Sequence, residues 1–230
     1  MARVLIGYSA CPLTRAAFEE QGHEVYTCDI LPARDGALFH LKMDVWEAIE
    51  IGGWDFAVLH PMCTYLTCSA AWAFKDPDYA KYPGAGYHQK VASGTLVGEA
   101  RREARREAVE NFRRLLDLPF PVAVENPASP TFLSTMLRRP SQIIHPFEFG
   151  DDAAKGTGLW LKGVPLLVPT KYAAPRMVGG LPRWSNQTDS GNNKLTPSAT
   201  RWLERSKTYP GIAAAMGDQR GKWLNERSAG

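Results

Sequence analysis

Glycine-rich phosphate loops are missing from this chain of 230 residues. The first strand–turn–helix stretch offers only Gly7, and no Gly-Lys-Ser/Thr triplet occurs, so a site for a dinucleotide or a nucleoside triphosphate is not expected. Long apolar runs are missing too. None approaches the roughly 20 residues needed to span a bilayer. Cysteine is scarce, at four residues (Cys11, Cys28, Cys63 and Cys68), without zinc-ribbon spacing or an accompanying histidine cluster. No metal site is therefore expected. A chain this long does not depend on disulfide staples, so reduced thiols and a cytoplasmic setting are expected. The first residues run straight into a strand pattern, with no charged leader before an apolar core, which argues against a secretory signal. Charge of one sign is not dominant either. The 27 Lys+Arg against 24 Asp+Glu leave +3, which permits nucleic-acid binding without requiring it.

What is present is an ordinary globular composition, 44% hydrophobic and 22% charged. It suits one large α/β domain, or such a domain with a small appendage. The 17 prolines and 20 glycines gather mostly in the second half, where long irregular connections are expected.

Residues 3–8 read as a buried first strand, 9–12 as a turn and 14–21 as a short helix closed by Gly22. Residues 23–28 form a second strand ending at Asp29. This is the front of a nucleotide-binding βαβ unit, and Asp29 is placed to accept hydrogen bonds from ribose hydroxyls. Asp29 as a plain strand-end turn residue is the alternative. Asp44, after Lys42-Met43, is a second acid suited to an adenine or its ribose. A glycine-poor loop beside such acids fits a cofactor without phosphate, S-adenosylmethionine being the obvious one. Residues 46–51 form a short helix ended by Gly52-Gly53.

Phe56 to Leu59 are four consecutive apolar residues, a strand buried on both faces of a parallel sheet. His60-Pro61 stops it, because Pro61 cannot donate to a ladder and biases His60 toward an extended backbone. Cys63 then sits just beyond the carboxyl end of a strand, where ligands bind in open α/β sheets. Residues 70–97 are rich in aromatics and glycine. They read either as a mobile cover over the site or as a surface excursion held by aromatic packing. Residues 96–118 carry the clearest helical pattern, with Leu96, Ala100, Ala104, Ala108, Phe112 and Leu115 as the buried stripe. Its arginines fall outside that stripe, interleaved with glutamates. Phosphate contact and a salt-bridged solvated face are both open for them.

Val122-Ala123-Val124 is another buried strand, and it delivers Glu125-Asn126 to the same edge as Cys63. Residues 142–150 and 159–161 read as paired strands around a connection carrying Lys155 and Thr157. Residues 165–197 read as irregular, with Arg183 and Trp184 suited to a nucleic-acid backbone or to an ordinary polar loop. A basic helical stretch is expected at 198–206 and a last element at 212–218.

A thiol is a nucleophile only as its thiolate, and no Cys–His dyad is apparent for acyl transfer. A carboxyl opposite the cysteine suits another reaction. The thiolate attacks carbon 6 of a pyrimidine while an acid hydrogen-bonds the ring nitrogen, and carbon 5 becomes nucleophilic. On these residues the chain resembles the DNA cytosine-5 methyltransferase family, most of all its short members from phages and prophages. His60-Pro61-Met62-Cys63 matches the family's Pro-Cys loop, and Glu125-Asn126-Pro127 matches its Glu-Asn-Val motif. Met43-Asp44-Val45 and the loop within 5–18 resemble its cofactor motifs. The chain departs from the pattern at Met62, where the family has proline, and in its glycine-poor first loop.

The resemblance implies a Rossmann-like S-adenosylmethionine-dependent methyltransferase fold with a mostly parallel central sheet. It implies a catalytic core over 1–164, a reduced target-recognition segment over 165–197 and a helical return to the core over 198–230. Cys63 would be the nucleophile, Glu125 would hold and activate the base, and Asn126 would shape its loop. Gly7, Tyr8, Ser9, Asp29, Ile30, Asp44, Val45, His60 and Pro61 would hold the cofactor. Thr64, Lys155, Thr157 and Arg183 would contact substrate. The partner would be DNA, duplex or single-stranded, or a pyrimidine nucleotide. No membrane and no obligate protein partner are implied. If the gene is a phage's, the compartment is the host cytoplasm. A catalytically silent nucleotide- or nucleic-acid-binding homologue is the remaining alternative.

Overall fold

Strand β1 (Arg3–Gly7) lies at the middle of the chain's architecture because all but its first residue are buried. The computed structural model describes residues 1–128, 131–196, 198 and 207–229. From β1 the chain passes through helix α1 (Pro12–Glu19) to β2 (Glu24–Cys28), then to the two-residue β3 (His40–Leu41) and helix α2 (Val45–Ile51). It returns to β4 (Phe56–Leu59), crosses by α3 (Gly98–Leu116) to β5 (Val122–Pro127), and continues through α4 (Leu133–Met136), β6 (Gln142–Ile144) and β7 (Thr157–Lys162). These seven strands form one sheet in the order β3-β2-β1-β4-β5-β7-β6. All neighbours are parallel except β7, which runs antiparallel to both β5 and β6. The chain is thus α/β with a mostly parallel sheet, compatible with a Rossmann-like fold.

Side chains alternate across the pleat, and that alternation divides the core in two. Leu5, Ala57, Leu59, Val122 and Val124 face α2 and α3, together with Phe112 and Trp160. Val4, Ile6, Phe56, Val58 and Ala123 face the other way, against Phe18 of α1 and Ile212, Met216 and Leu224 near the C-terminus. That second layer is α5 (Pro210–Ala215), a π-type turn over Met216–Arg220 and α6 (Gly221–Ala229). A Cβ on Gly217 would lie 2.3 Å from the carbonyl oxygen of Ala17, so only glycine lets this helix approach α1. His23 ties the same corner. It accepts from Ala2 N at 3.2 Å through Nδ1 and meets the Gly221 carbonyl at 2.9 Å through Nε2.

Several elements differ from the sequence reading. Helix α1 begins at Pro12 rather than Thr14, because proline is pre-shaped for a first helical position. Only 142–144 of the stretch 142–150 are strand; Pro146 then opens a single 3₁₀ turn, Pro146–Glu148. Thr157 and Gly158 belong to strand β7. The segment 165–197 is not wholly irregular. It contains a hairpin, β8 (Arg176–Val178) and β9 (Leu181–Arg183). Its two-residue turn is Gly179-Gly180, both at positive φ, the chemistry that favours tight hairpins.

Helix α3 buries Arg101 along with Val109, Phe112 and Leu115, not the alanine stripe. Arg101 lies over the rings of Tyr65 and Phe74, and Arg105 over Phe74 and Phe132. The inner face at this end meets rings and loop carbonyls, which accept a guanidinium. Arg102, Arg106 and Arg113 pair with Glu99, Glu103 and Glu110, and Arg114 lies over the Trp46 ring. Residues 70–97 pack on themselves through Trp72–Tyr87, Trp72–His88 and Tyr82–His88 ring contacts, the excursion alternative. The expected helix at 198–206 falls, apart from Ser198, outside the described residues. Among the described residues no helix is long and apolar enough to cross a membrane.

Candidate active site at the carboxyl edge of the sheet

The sheet order turns at β1. The chain runs outward through β2 and β3 on one side, then restarts with β4 on the other, so a switch point opens between the carboxyl ends of β1 and β4. Parallel register puts Gly7 level with Cys28 and with Leu59, and Leu59 level with Val124. Tyr8, Asp29, His60 and Glu125 are therefore the first residues past one common edge.

His60 and Glu125 meet there. His60 Nδ1 lies 2.6 Å from Glu125 Oε2, and both side chains are mostly buried. Burial by itself pushes the Glu125 carboxyl up. The His60 hydrogen bond, the His60 charge and then Lys155 more than offset it and hold Glu125 below the ordinary carboxylate value. The Nε2 of His60 is buried without a hydrogen-bond partner among the described residues. One residue further along each strand, Asn126 Nδ2 donates to the Pro61 carbonyl at 2.9 Å, and Asn126 Oδ1 is left unpaired in the interior. This bond clamps the root of the Cys63 loop to β5.

The loop itself is short and turned back on itself. The Cys63 carbonyl accepts from Leu66 N and Thr67 N, each at 3.1 Å. Arg101 reaches from α3 to the Thr64 carbonyl at 3.4 Å, so a buried guanidinium braces the loop from behind. Cys63 is a partly buried cysteine, whereas Met62 and Thr64 are exposed. A small cleft of about 20 Å³ is lined by His60, Glu125, Lys155, Thr157, Tyr209 and Met216, among others. Cys63 is not among its lining residues. The volume suits roughly one water, so a pyrimidine ring enters only if residues 207–209 or Met216 shift.

The expected cofactor residues share the edge but not one role. Tyr8 holds φ at +58°, a strained left-handed conformation for a non-glycine residue, and its hydroxyl accepts from Asn111 Nδ2 at 3.2 Å. Burial raises its pKa, partly countered by the Asn111 hydrogen bond. Ser9 Oγ accepts from Cys11 N at 3.3 Å. Asp29 Oδ1 accepts from Leu31 N at 2.9 Å, while Oδ2 makes no hydrogen bond among the described residues. Ile30 is exposed. Asp44 caps α2 by accepting from Trp46 N at 2.8 Å. Val45 is buried, and Gly7 is glycine because a Cβ would lie 2.7 Å from Val45 Cγ2 and 2.6 Å from Leu59 Cδ2. A larger cavity of about 490 Å³ adjoins α1. Cys11, Pro12, Arg34, Lys207 and Tyr209 line it, and its volume is within the usual small-molecule range of roughly 300–1,000 Å³.

On the substrate side, Thr157 Oγ1 donates to the Lys155 carbonyl at 3.3 Å, and both residues line the small cleft. Arg183 is not brought to it. Its guanidinium donates to the carbonyls of Asp189 and Pro182 at 3.0 and 2.8 Å. Trp184 is buried, stacked on Phe147 at 4.2 Å, which stacks in turn on His145 at 4.8 Å.

Arg101, Asn111, Tyr209 and Met216 escaped the sequence reading. Only the buried side of α3 had a signal for Arg101, and that signal favours alanine. No protein-family model matches the chain, and no curated protein matches it.

Proposed function

We propose that the chain is an S-adenosylmethionine-dependent methyltransferase that modifies carbon 5 of cytosine in DNA. The observation that carries this reading is the switch-point edge: a Cys63 loop after β4 is clamped by Asn126 to the strand end that bears Glu125. The sequence resemblance adds the order of the two motifs. Two observations support a cofactor here, although Tyr8, Asp29 and Ile30 do not line the cavity concerned. Asp29 keeps Oδ2 for hydroxyl donors at the tip of β2, and the cavity beside α1 has room for a small molecule. Asp29, Tyr8 and Ile30 would hold S-adenosylmethionine. When bound, it supplies an electrophilic methyl group for carbon 5.

The chain's own residues do the rest. The Cys63 thiolate adds to carbon 6, forming the S–C bond as the ring's double-bond electrons move toward the ring nitrogen. Glu125 hydrogen-bonds that nitrogen and stabilises the charge arriving there. A water molecule acting as base later takes the carbon-5 proton, whose electron pair returns to the ring, breaks the S–C bond and frees the thiolate. Asn126 and Arg101 hold the loop so that the sulfur is positioned before the base arrives.

Duplex DNA carrying 5-fluorocytosine at every cytosine tests this, because fluorine at carbon 5 blocks the last step. With S-adenosylmethionine present, the wild type is expected to form a covalent adduct stable to denaturing electrophoresis, and Cys63→Ser none. No wild-type adduct, or an adduct from Cys63→Ser, overturns the reading. Calorimetry with S-adenosylmethionine separates an enzyme from a silent homologue. Asp29→Ala is expected to weaken that binding.

A second reading keeps the chemistry and changes the substrate to single-stranded DNA or a free pyrimidine nucleotide. It is favoured by Arg176 and Arg183. Both guanidinium groups of the hairpin are bonded to Asp189 and nearby carbonyls of their own segment, not presented to a duplex. Rates on dCMP, single strands and duplex distinguish the two.

A further inference from the structure

We infer that His60 is a positioning residue that shares one proton with Glu125 and passes it to the carboxyl when a pyrimidine is activated. The inference rests on the methyltransferase reading of this site.

The geometry is specific. His60 follows β4 and Glu125 lies in β5, and their side chains meet at 2.6 Å, nitrogen to oxygen. His60 N also donates to the Gly7 carbonyl at 3.1 Å, so the imidazole is fixed at its root by β1. Glu125 is the single acid among the residues lining the cleft. The groups facing it are His60 from β4, Lys155 and Thr157 before and within β7, and Lys207 and Tyr209 ahead of α5; Ile212 and Met216 are apolar. Burial is outweighed by the His60 hydrogen bond and the His60 and Lys155 charges, which hold the Glu125 carboxyl below its ordinary value.

An ionised carboxylate has no hydrogen to donate, and N3 of cytosine is an acceptor. The site needs a proton between them, and the nearest is on His60 Nδ1. As the Cys63 sulfur bonds to carbon 6, the Nδ1 proton moves to Glu125, and the carboxyl proton moves to N3. When the S–C bond breaks, N3 returns its proton to Glu125 and His60 is reprotonated. The relay thereby returns to its starting state, and the one proton released over the cycle is that of carbon 5. The buried, unpartnered Nε2 leaves the imidazole no competing side-chain acceptor or donor.

Two measurements test this. In ¹⁵N-labelled protein, the imidazole of His60 is expected to titrate at a different pH in Glu125→Gln than in the wild type. An identical titration overturns the inference whatever the activity. The rate of adduct formation on 5-fluorocytosine duplex DNA is then followed against pH. The wild-type rate is expected to fall as pH rises through the pair's apparent pKa. His60→Gln, which keeps an N–H donor but carries no proton, is expected to react about 10²-fold more slowly with a flat profile over that range. His60→Asn serves if the glutamine variant does not fold. An unchanged rate and profile overturn the relay while leaving the methyltransferase reading standing. No adduct from the wild type overturns that reading, and the relay with it.

Discussion

The two sides of the switch point treat their polar side chains differently. On the β1–β2–β3 side, Ser9, Asp29 and Asp44 each bond a backbone N–H two residues ahead. Such local bonds make turns and helix caps, and they form wherever the chain bends. On the β4–β5 side, His60 reaches Glu125 and Asn126 reaches Pro61 across 65 residues of sequence. These contacts leave His60 Nε2 and Asn126 Oδ1 unsatisfied in the interior. A buried polar atom without a partner is costly, so the two beside Glu125 mark that edge more than a satisfied cap does; among the described residues Arg15, Arg101, Arg105, His145 and Arg220 also leave buried nitrogens unpaired. On the proposed function, the reacting groups belong to the β4–β5 side and a supporting shelf to β1 to β3.

Perturbations on each side break this contrast or sharpen it. The largest effect is expected from Cys63→Ser, which removes adduct formation altogether yet leaves the urea unfolding midpoint within about 0.5 kcal/mol, because the residue is only partly buried. Asn126→Ala comes next. It deletes the bond to Pro61 and leaves a buried carbonyl unpaired, and denaturant unfolding is expected to show a loss of about 1–3 kcal/mol together with slower adduct formation. On the other side, Asp44→Ala removes a helix cap. A stability loss of about 1 kcal/mol is expected, with the adduct rate at saturating cofactor unchanged. If Asp44→Ala slows the reaction at saturating cofactor as much as Asn126→Ala does, the division of roles fails.

The smallest effect is a pH dependence. Against burial, the His60 hydrogen bond and charge hold the folded-state pKa of Glu125 below the ordinary carboxylate value, so its ionised form stabilises the fold at pH above that value. That contribution is lost as pH falls through the folded pKa, where the carboxyl takes up a proton. Unfolding midpoints measured from neutral to acid pH are expected to decline less steeply for Glu125→Gln than for the wild type. Parallel acid limbs would mean that the pair with His60 adds nothing to stability.

Much of the fold was legible because buried parallel strands write themselves as short apolar runs. Residues 3–7, 56–59 and 122–124 are strands for that reason, and Gly22 ends the first helical hairpin at positive φ. Strand β3 was not legible, since two residues carry no periodicity. The hairpin at Gly179-Gly180 had a signal in its turn, obscured by the prolines around it. Helix α3 showed a strong period, but the period chose the wrong face at its first half, because a guanidinium over aromatic rings is as well buried as an alanine. At the site, the position of Cys63 after β4 could be read from residue types, whereas Glu125, read as following a strand, lies inside β5, because pairing with β7 extends that strand to Pro127. Their neighbours could not.

The sequence by itself determined where the buried strands β1, β4 and β5 lie and that the Cys63 loop follows β4, because apolar runs and proline stops are local properties. Only the tertiary structure decided that His60 faces Glu125, that Asn126 clamps the Cys63 loop and that Arg183 is turned to its own segment. Strand register and side-chain direction arise from packing residues far apart in sequence, and no local pattern encodes a distance between them.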